Sequence, residues 1–502
     1  MFKLAPLFGN GCVLVRNKEI RVFGGATEGI RVTAELRAAD GSLMAKGSCM
    51  AQDGSFLLRL PPQQAATGCT LHVSDSEMLI VSENVAIGEV YFAAGQSNME
   101  LELQNADEGK GLIEAHNDPD LRYFNVPKKA LWNDDAIQAE GWSHWEAIRP
   151  GMGRDMSAVA YFFACKLRAK LGVPVGVIDC YWGGTSVTCW MDEEALMRTA
   201  EGQRYLREYA EKVGDKTVAQ WQAEEDKFQA DMNEWNGKVA RLKEERPDVT
   251  WPEINEICGA CPWNPPVGAG SPYRPAGLVE TMTKRVAPVS VTAILYYQGE
   301  EDAWRTEHYE VLLAGYVQRM RELLGDDELP FLNVQLPVFI NATDTEDNHQ
   351  WGVLRHAQEL VYRQVAHTGL ACIIDCGEWD NIHPTDKRTP GERLFEQALT
   401  VVYGEKGEKS PMAVGKYTEG NVLTVVLDAP VAITRGGDEC AEIAGQDGVW
   451  HKAAIEVCGD KLRLTAAEVA EPVYARYAHY NWCKVRLFGE NGLPLAPFVL
   501  EY

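Results

Sequence analysis

The chain lacks any apolar run near the roughly 18–20 residues that a membrane-spanning helix needs. Its richest, residues 158–165, is far too short, so the chain reads as soluble, with no membrane insertion. Basic residues are scarce: 48 Lys plus Arg stand against 73 Asp plus Glu, a formal charge of −25, and no dense Lys/Arg run offsets it. Such a surface repels nucleic-acid phosphates and anionic headgroups, which argues against nucleic acid as a partner. Cysteine is too thin for a disulfide-built scaffold, and 13 of them, an odd number over 502 residues, read mostly as buried free thiols. The N-terminus lacks the unbroken apolar core of a signal peptide, because Gly9, Asn10 and Gly11 interrupt it. The compartment is left open between the cytoplasm and a mature exported form.

Common catalytic signatures are missing as well. There is no G-x-S-x-G, no G-x-x-x-x-G-K-[ST] and no H-E-x-x-H, which removes the main support for α/β-hydrolase, NTPase and zincin readings. Cys258 and Cys261 form one C-x-x-C, but no second pair stands at ligand spacing, and Cys372 and Cys376 are remote. Ordinary thiols are therefore favoured over a metal or redox site, and the expectation is no metal and no cofactor.

What is present is an ordinary globular composition, 46% hydrophobic and 24% charged, with enough apolar surface to offset chain entropy. From about residue 7 to 87, short β-branched and aromatic runs (20–23, 30–36, 55–60, 70–73) separated by Gly, Asp and Pro predict a small antiparallel β domain. The rhythm then changes. Strands at 89–94, 175–181, 291–297, 331–336 and 370–375 alternate with helical patterns at 157–171, 309–324 and 351–367, Ser157 being a suitable N-cap. That alternation predicts an α/β domain over 88–404 with a mostly parallel sheet. Residues 193–246 read as a pair of exposed helices inserted into it, and 258–277, rich in Pro, Gly and Trp, as a long ordered loop. Strand-and-turn patterning returns in a C-terminal β region, 405–502.

Ligands bind at the carboxyl ends of strands in such sheets, so polar and glycine residues there carry most weight. Four ends stand out. Gly95-Gln96-Ser97-Asn98-Met99 follows the strand at 89–94: Ser97 is either a nucleophile on a tight turn or a helix N-cap. Gly183-Gly184-Thr185 follows 175–181, where an absent Cβ lets a backbone N–H approach a ligand; a plain strand-to-helix turn is the alternative. Tyr297-Gln298-Gly299-Glu300 offers a side-chain amide for an oxyanion and a carboxylate for a neighbour or a sugar hydroxyl, or else a solvated loop. In Asp380-Asn381-Ile382-His383-Pro384, one turn of chain would let Asp380 meet Nδ1 of His383 and leave Nε2 for a serine; an Asp-capped turn with a surface His is the alternative. His356 and His367, in a helical pattern, read as structural.

Together these segments resemble the sialate O-acetylesterase family of SGNH-type serine hydrolases. The likeness rests on GEVYFAAGQSNME, VPVGVIDCYWGGTSVTCW, YYQGEED and CGEWDNIHPTDKRTPGERL, in the order that family uses, and spans roughly residues 7–402. It implies a three-layer α/β/α, flavodoxin-like hydrolase domain with β domains on either side. It further implies Ser97 as nucleophile, His383 as general base then acid, Asp380 as its orienting partner, and an oxyanion hole from the N–H groups of Ser97 and Gly184 with the Gln298 amide. Gly183 remains an alternative to its neighbour. Glu300 and Trp182 are candidate substrate contacts, and Trp182, Trp263 and Trp304 are candidate sugar platforms because aromatic faces stack on pyranose rings, buried packing being the commoner alternative for Trp. The implied substrate is an O-acetylated carbohydrate, an acetylated sialic acid first, with acetylxylan or another polysaccharide as the alternative and a non-catalytic glycan-binding protein third. One departure matters: Glu301-Asp302 replaces the Ser-Asn common in the family, which places a carboxylate pair near the mouth of the site. An anionic sugar then calls for a cation there, Arg154, Arg274 or Arg305.

Overall fold

The computed structural model describes residues 2–263, 265–341, 344–434 and 436–501. Its centre is a sheet containing β1 (Leu79–Gly95), β2 (Asp118–Asn125), β3 (Trp145–Ile148), β4 (Val175–Tyr181), β5 (Ala293–Tyr297), β6 (Phe331–Gln335) and β7 (Thr368–Cys372). Their spatial order is β3-β2-β4-β1-β5-β6-β7, parallel except for β3, which pairs antiparallel with β2. In β1, Val90, Tyr91, Phe92, Ala93 and Ala94 are all buried, the unbroken apolar run of a strand with no solvated face.

β1 is 17 residues long and runs straight through the boundary expected at 87/88. Its first half pairs with Ala66–Ser74 of the N-terminal β region, and Val13–Val15 lies beside its middle. Val90 to Gly95 then sit between β4 and β5. One strand thus ties the N-terminal region to the sheet that carries the site.

Helices α1 (Ser97–Glu100), α2 (Ala158–Leu171), α3 (Tyr309–Leu324), α4 (Gln350–Gln364) and α5 (Arg388–Val401) connect or follow these strands. The Ser157 hydroxyl caps α2 by accepting from Ala160 N–H at 3.2 Å. His356 lies in α4, whereas His367 falls beyond it, in a left-handed turn before β7. The insertion holds more than the expected pair of helices: Glu193–Met197, Ala200–Val213, Val218–Glu245 and Trp251–Cys258. Thr199, Thr217 and Thr250 cap three of them, and these short interruptions divide what composition alone joins. Cys258 and Cys261 are free thiols at the end of that insertion.

The C-terminal strands form sheets around a second apolar core that includes Leu423, Val425, Ile443, Leu462 and Leu487 and also draws in Val338, Cys372 and Ile374. Among the described residues, no helix is long and apolar enough to cross a membrane.

Candidate active site

The strand order reverses at β1: β4 lies on one side and β5 on the other, so the chain leaving β1 opens into the crevice where open α/β sheets bind ligands. Gly95 makes that exit possible. Its φ is +142°, and a Cβ there would stand 2.1 Å from the Tyr297 carbonyl oxygen of β5. Gln96 is then buried, accepting at Oε1 from Glu301 N–H and from the Gln298 amide, each at 3.1 Å.

Ser97 is the first residue of α1, and Gln96 occupies the cap position without a side-chain cap bond. The hydroxyl of Ser97 therefore does not cap the helix. It faces the imidazole of His383, Oγ to Nε2 at 2.8 Å, across 286 residues of sequence. Burial, helped by the nearby Lys387 ammonium, pushes the His383 imidazole down to about 4, so the ring is neutral and able to accept the serine proton near neutral pH. The turn before it is tightly made: Asn381 Oδ1 accepts from His383 N–H at 3.0 Å, and Asp380 takes a left-handed φ of +61°. That conformation is uncommon for a non-glycine residue and gathers at functional sites.

The two glycines after β4 are now distinguishable. Gly183 abuts Ser97, a Cβ on it standing 3.2 Å from the serine Cβ, but its N–H already donates to Glu100 Oε2 at 2.5 Å. The N–H groups of Ser97 and Gly184 have no acceptor among the described residues. Gly184 has φ +71°, and a Cβ on it would meet the Trp263 indole at 2.5 Å. Trp263, 40% exposed, thus borders the glycine turn, with its ring set edge-on to Tyr273 (5.6 Å) and Phe228 (6.3 Å). The inserted helices and the Pro-rich loop therefore supply one wall of the crevice.

Gln298 sits differently from the expectation. It is fully buried, its Nε2 facing Asp302 Oδ2 at 2.6 Å and Gln96 Oε1 and the Thr185 carbonyl at 3.1 Å, while its Oε1 accepts from Tyr309 and Tyr296 hydroxyls. An amide has two N–H donors, and both are taken. Gln298 locks the turns after β1, β4 and β5 together from below rather than presenting a free donor. Glu300 is likewise buried, accepting from Asn98 Nδ2 at 2.5 Å, so it holds the residue next to Ser97 and has no surface for a sugar. Trp182 is half-buried against the core.

The carboxylate pair expected at the mouth is split. Asp302 is buried, accepting from Ser186 Oγ (2.6 Å), Val187 N–H (2.9 Å) and Gln298, and burial raises its carboxyl all the same. Glu301 is half-buried and pushed up to about 8 by desolvation, then by Asp302 and Glu300, so it is largely uncharged at neutral pH. The three arginines do not supply a free cation deep in the crevice. Arg274 donates to the Ala130 and Ser271 carbonyls, Arg305 pairs with Glu208 at 2.7 Å, and Arg154 is exposed. Trp304 is 71% exposed.

Two buried residues of the site escaped sequence reasoning, Asn98 and Lys387. Lys387 Nζ donates to Asn98 Oδ1 at 2.8 Å. The only hint in sequence was a lysine four residues after His383.

Residues 261–400 match a family model described as carbohydrate esterase, sialic acid-specific acetylesterase. That span contains His383 and Asp380 but begins after Ser97 and Gly184. The sialate O-acetylesterase of Mus musculus is 23% identical, aligned over 100% of this chain and 94% of its own length. The human sialate O-acetylesterase is 22% identical over 99% of this chain and 92% of its own. A solved carbohydrate acetylesterase from Xanthomonas citri shares 27% identity and superposes with a TM-score of 0.76, covering 99% of both chains.

Proposed function

We propose that this chain, similar throughout its length to the sialate O-acetylesterases, is a carbohydrate O-acetylesterase that works through Ser97, His383 and Asp380 in a three-layer SGNH-type hydrolase domain flanked by β domains. The observation that carries the reading is the 2.8 Å contact between Ser97 Oγ and His383 Nε2, which joins two turns 286 residues apart in the chain. In the ground state the serine O–H donates to the neutral imidazole. As Oγ attacks the acetyl carbonyl, that proton passes to Nε2, and Asp380, three residues before His383 in the same turn, steadies the imidazolium.

The tetrahedral oxyanion forms beside the N–H groups of Ser97 and Gly184, which point no charge elsewhere and need no rearrangement. Gln298 keeps the three turns in register. His383 then gives its proton to the departing sugar oxygen, leaving an acetyl-serine. Water, deprotonated by the same imidazole, releases acetate and restores the serine.

The relatives point to an O-acetylated sialic acid as substrate. A second reading, an acetyl ester on a neutral sugar, is favoured by one observation: Arg274 and Arg305 are already engaged, by the Ala130 carbonyl and by Glu208, so neither is held ready for a sialate carboxylate. A fluorophosphonate probe tests the serine assignment apart from substrate choice. It should modify the protein at Ser97 and react far more slowly with His383→Ala; unchanged modification of Ser97→Ala would overturn the assignment.

A further inference from the structure

Asn98, Lys387 and Glu300 are all buried, at 0, 1 and 3% exposure, and they come from three different turns. Asn98 follows the nucleophile on α1, Glu300 follows β5, and Lys387 is the cap residue of α5, four positions after His383. The chemistry of the partners fixes the orientation of the Asn98 amide. Lysine can only donate, so the oxygen must face Nζ, at 2.8 Å; a carboxylate and a carbonyl can only accept, so the NH₂ must face Glu300 Oε1 at 2.5 Å and the Ile382 carbonyl at 2.9 Å. Lys387 Nζ also donates to the Pro384 carbonyl.

The consequence is specific. The carbonyls of Ile382 and Pro384 are those on either side of His383, and one network grips both while starting from the residue beside Ser97. Mere packing of this loop would not require a buried lysine, because an ammonium taken out of water is expensive unless it is paired and bonded. The partner carboxyl is Glu300, reached through the asparagine and itself raised by burial, and the Tyr297 ring lies 5.8 Å from Nζ.

We propose that Lys387, acting through Asn98 and Glu300, is a positioning residue that holds both flanks of His383 against Ser97 and sets the electrostatic field at the imidazole. This rests on the serine reading above and deepens it. The groups facing this cluster are Ser97 and Asn98 on α1, Glu300 and Tyr297 from the β5 end, Cys376 after β7, and Glu378 and Asp386 in the His383 loop. Lys387 is held down to about 8 by burial, opposed by Glu300, Asp386 and Glu378, and is therefore charged throughout the acid range in which His383 titrates. A positive charge at that place disfavours the imidazolium at rest, so the base stays ready.

The test is the pH dependence of kcat and KM for acetate release by the full chain, comparing wild type, Lys387→Met, Lys387→Arg and Glu300→Gln. Lys387→Met should lower kcat about tenfold or more with KM within about threefold, and should move the acid half-point upward by about one unit. Lys387→Arg keeps the charge and should keep the wild-type half-point even if kcat falls. Burial raises the Glu300 carboxyl, and Glu300→Gln keeps an acceptor for Asn98 while carrying no charge at any pH, so its half-point should stay at or below that of wild type. This last variant decides the matter if Lys387→Met does not fold. A half-point in folded Lys387→Met that coincides with wild type, or one in Glu300→Gln or Lys387→Arg that climbs, overturns the inference. Those outcomes, with Ser97 still required, sink only this network; activity that survives Ser97→Ala sinks the serine reading beneath it.

Discussion

Acidification is the perturbation that most cleanly separates this site from an ordinary surface histidine. An unperturbed imidazole, at 6.5, would be only about one-tenth neutral at about pH 5.5, whereas His383, held near 4, would remain more than about nine-tenths neutral. The general base should therefore lose almost nothing between about pH 7.5 and about pH 5.5, while the alternative loses about tenfold. The assay is kcat/KM for acetate release from about pH 4 to about pH 8, with circular dichroism at each pH to confirm that the fold persists. The expected acid half-point lies near 4. The same shift bears on stability. Below pH 6.5 the unfolded chain takes up a proton that the folded imidazole refuses until about 4, so the unfolded state binds more protons and acid favours unfolding. The stabilisation is whole above 6.5 and lost once pH has fallen through 4, a matter of about 3 kcal/mol. An acid half-point between about pH 6 and about pH 7 in folded enzyme would refute this account of the base.

Other expectations are more local. Gly184→Ala forces a Cβ to 2.5 Å from Trp263 at a φ of +71°; the strain of about 1–2 kcal/mol is minor beside the displaced N–H, and kcat should fall by about 10²-fold. A kcat unchanged in that variant would remove Gly184 from the oxyanion hole. Arg355, fully buried, donates to the Pro337 and Ala478 carbonyls at 2.9 and 3.0 Å and to the Tyr480 carbonyl. Arg355→Met should leave those acceptors stranded and destabilise the protein by about 2–4 kcal/mol in chemical denaturation, with no change in midpoint counting against a clamp between α4 and the C-terminal β region.

The strand ends were legible in the sequence because each follows a short apolar run, which singled out the Ser, Gly-Gly and Gln-Gly-Glu directly after three of them and the Asp-x-x-His a few residues beyond the fourth, although each segment alone kept a structural alternative. β4 in particular was read to its last residue, Tyr181. β7 was displaced, observed at Thr368–Cys372, because the apolar run at 370–375 continues past the last paired residue into the site loop. The choice between Gly183 and Gly184 was not legible, since it depends on Glu100, 83 residues away, taking the N–H of the first. Gln298 misled for a similar reason: a glutamine at a strand end can face the crevice or the core, and what decides here is Asp302, a buried carboxylate that needs its donors. The Asn98–Glu300–Lys387 network joins positions 202 and 289 residues apart, and no local pattern encodes such a meeting. The role given to Asp380 remains a proposal, resting on its place in the turn.

The most direct test is acetate release from a 9-O-acetylated sialoside and from acetylxylan, measured side by side for wild type and Ser97→Ala. The account predicts release from at least one of these acetylated carbohydrates by wild type, preferential release identifying the sugar, and a fall of about 10³-fold or more in the variant. Acetate release by folded Ser97→Ala at the wild-type rate would contradict it.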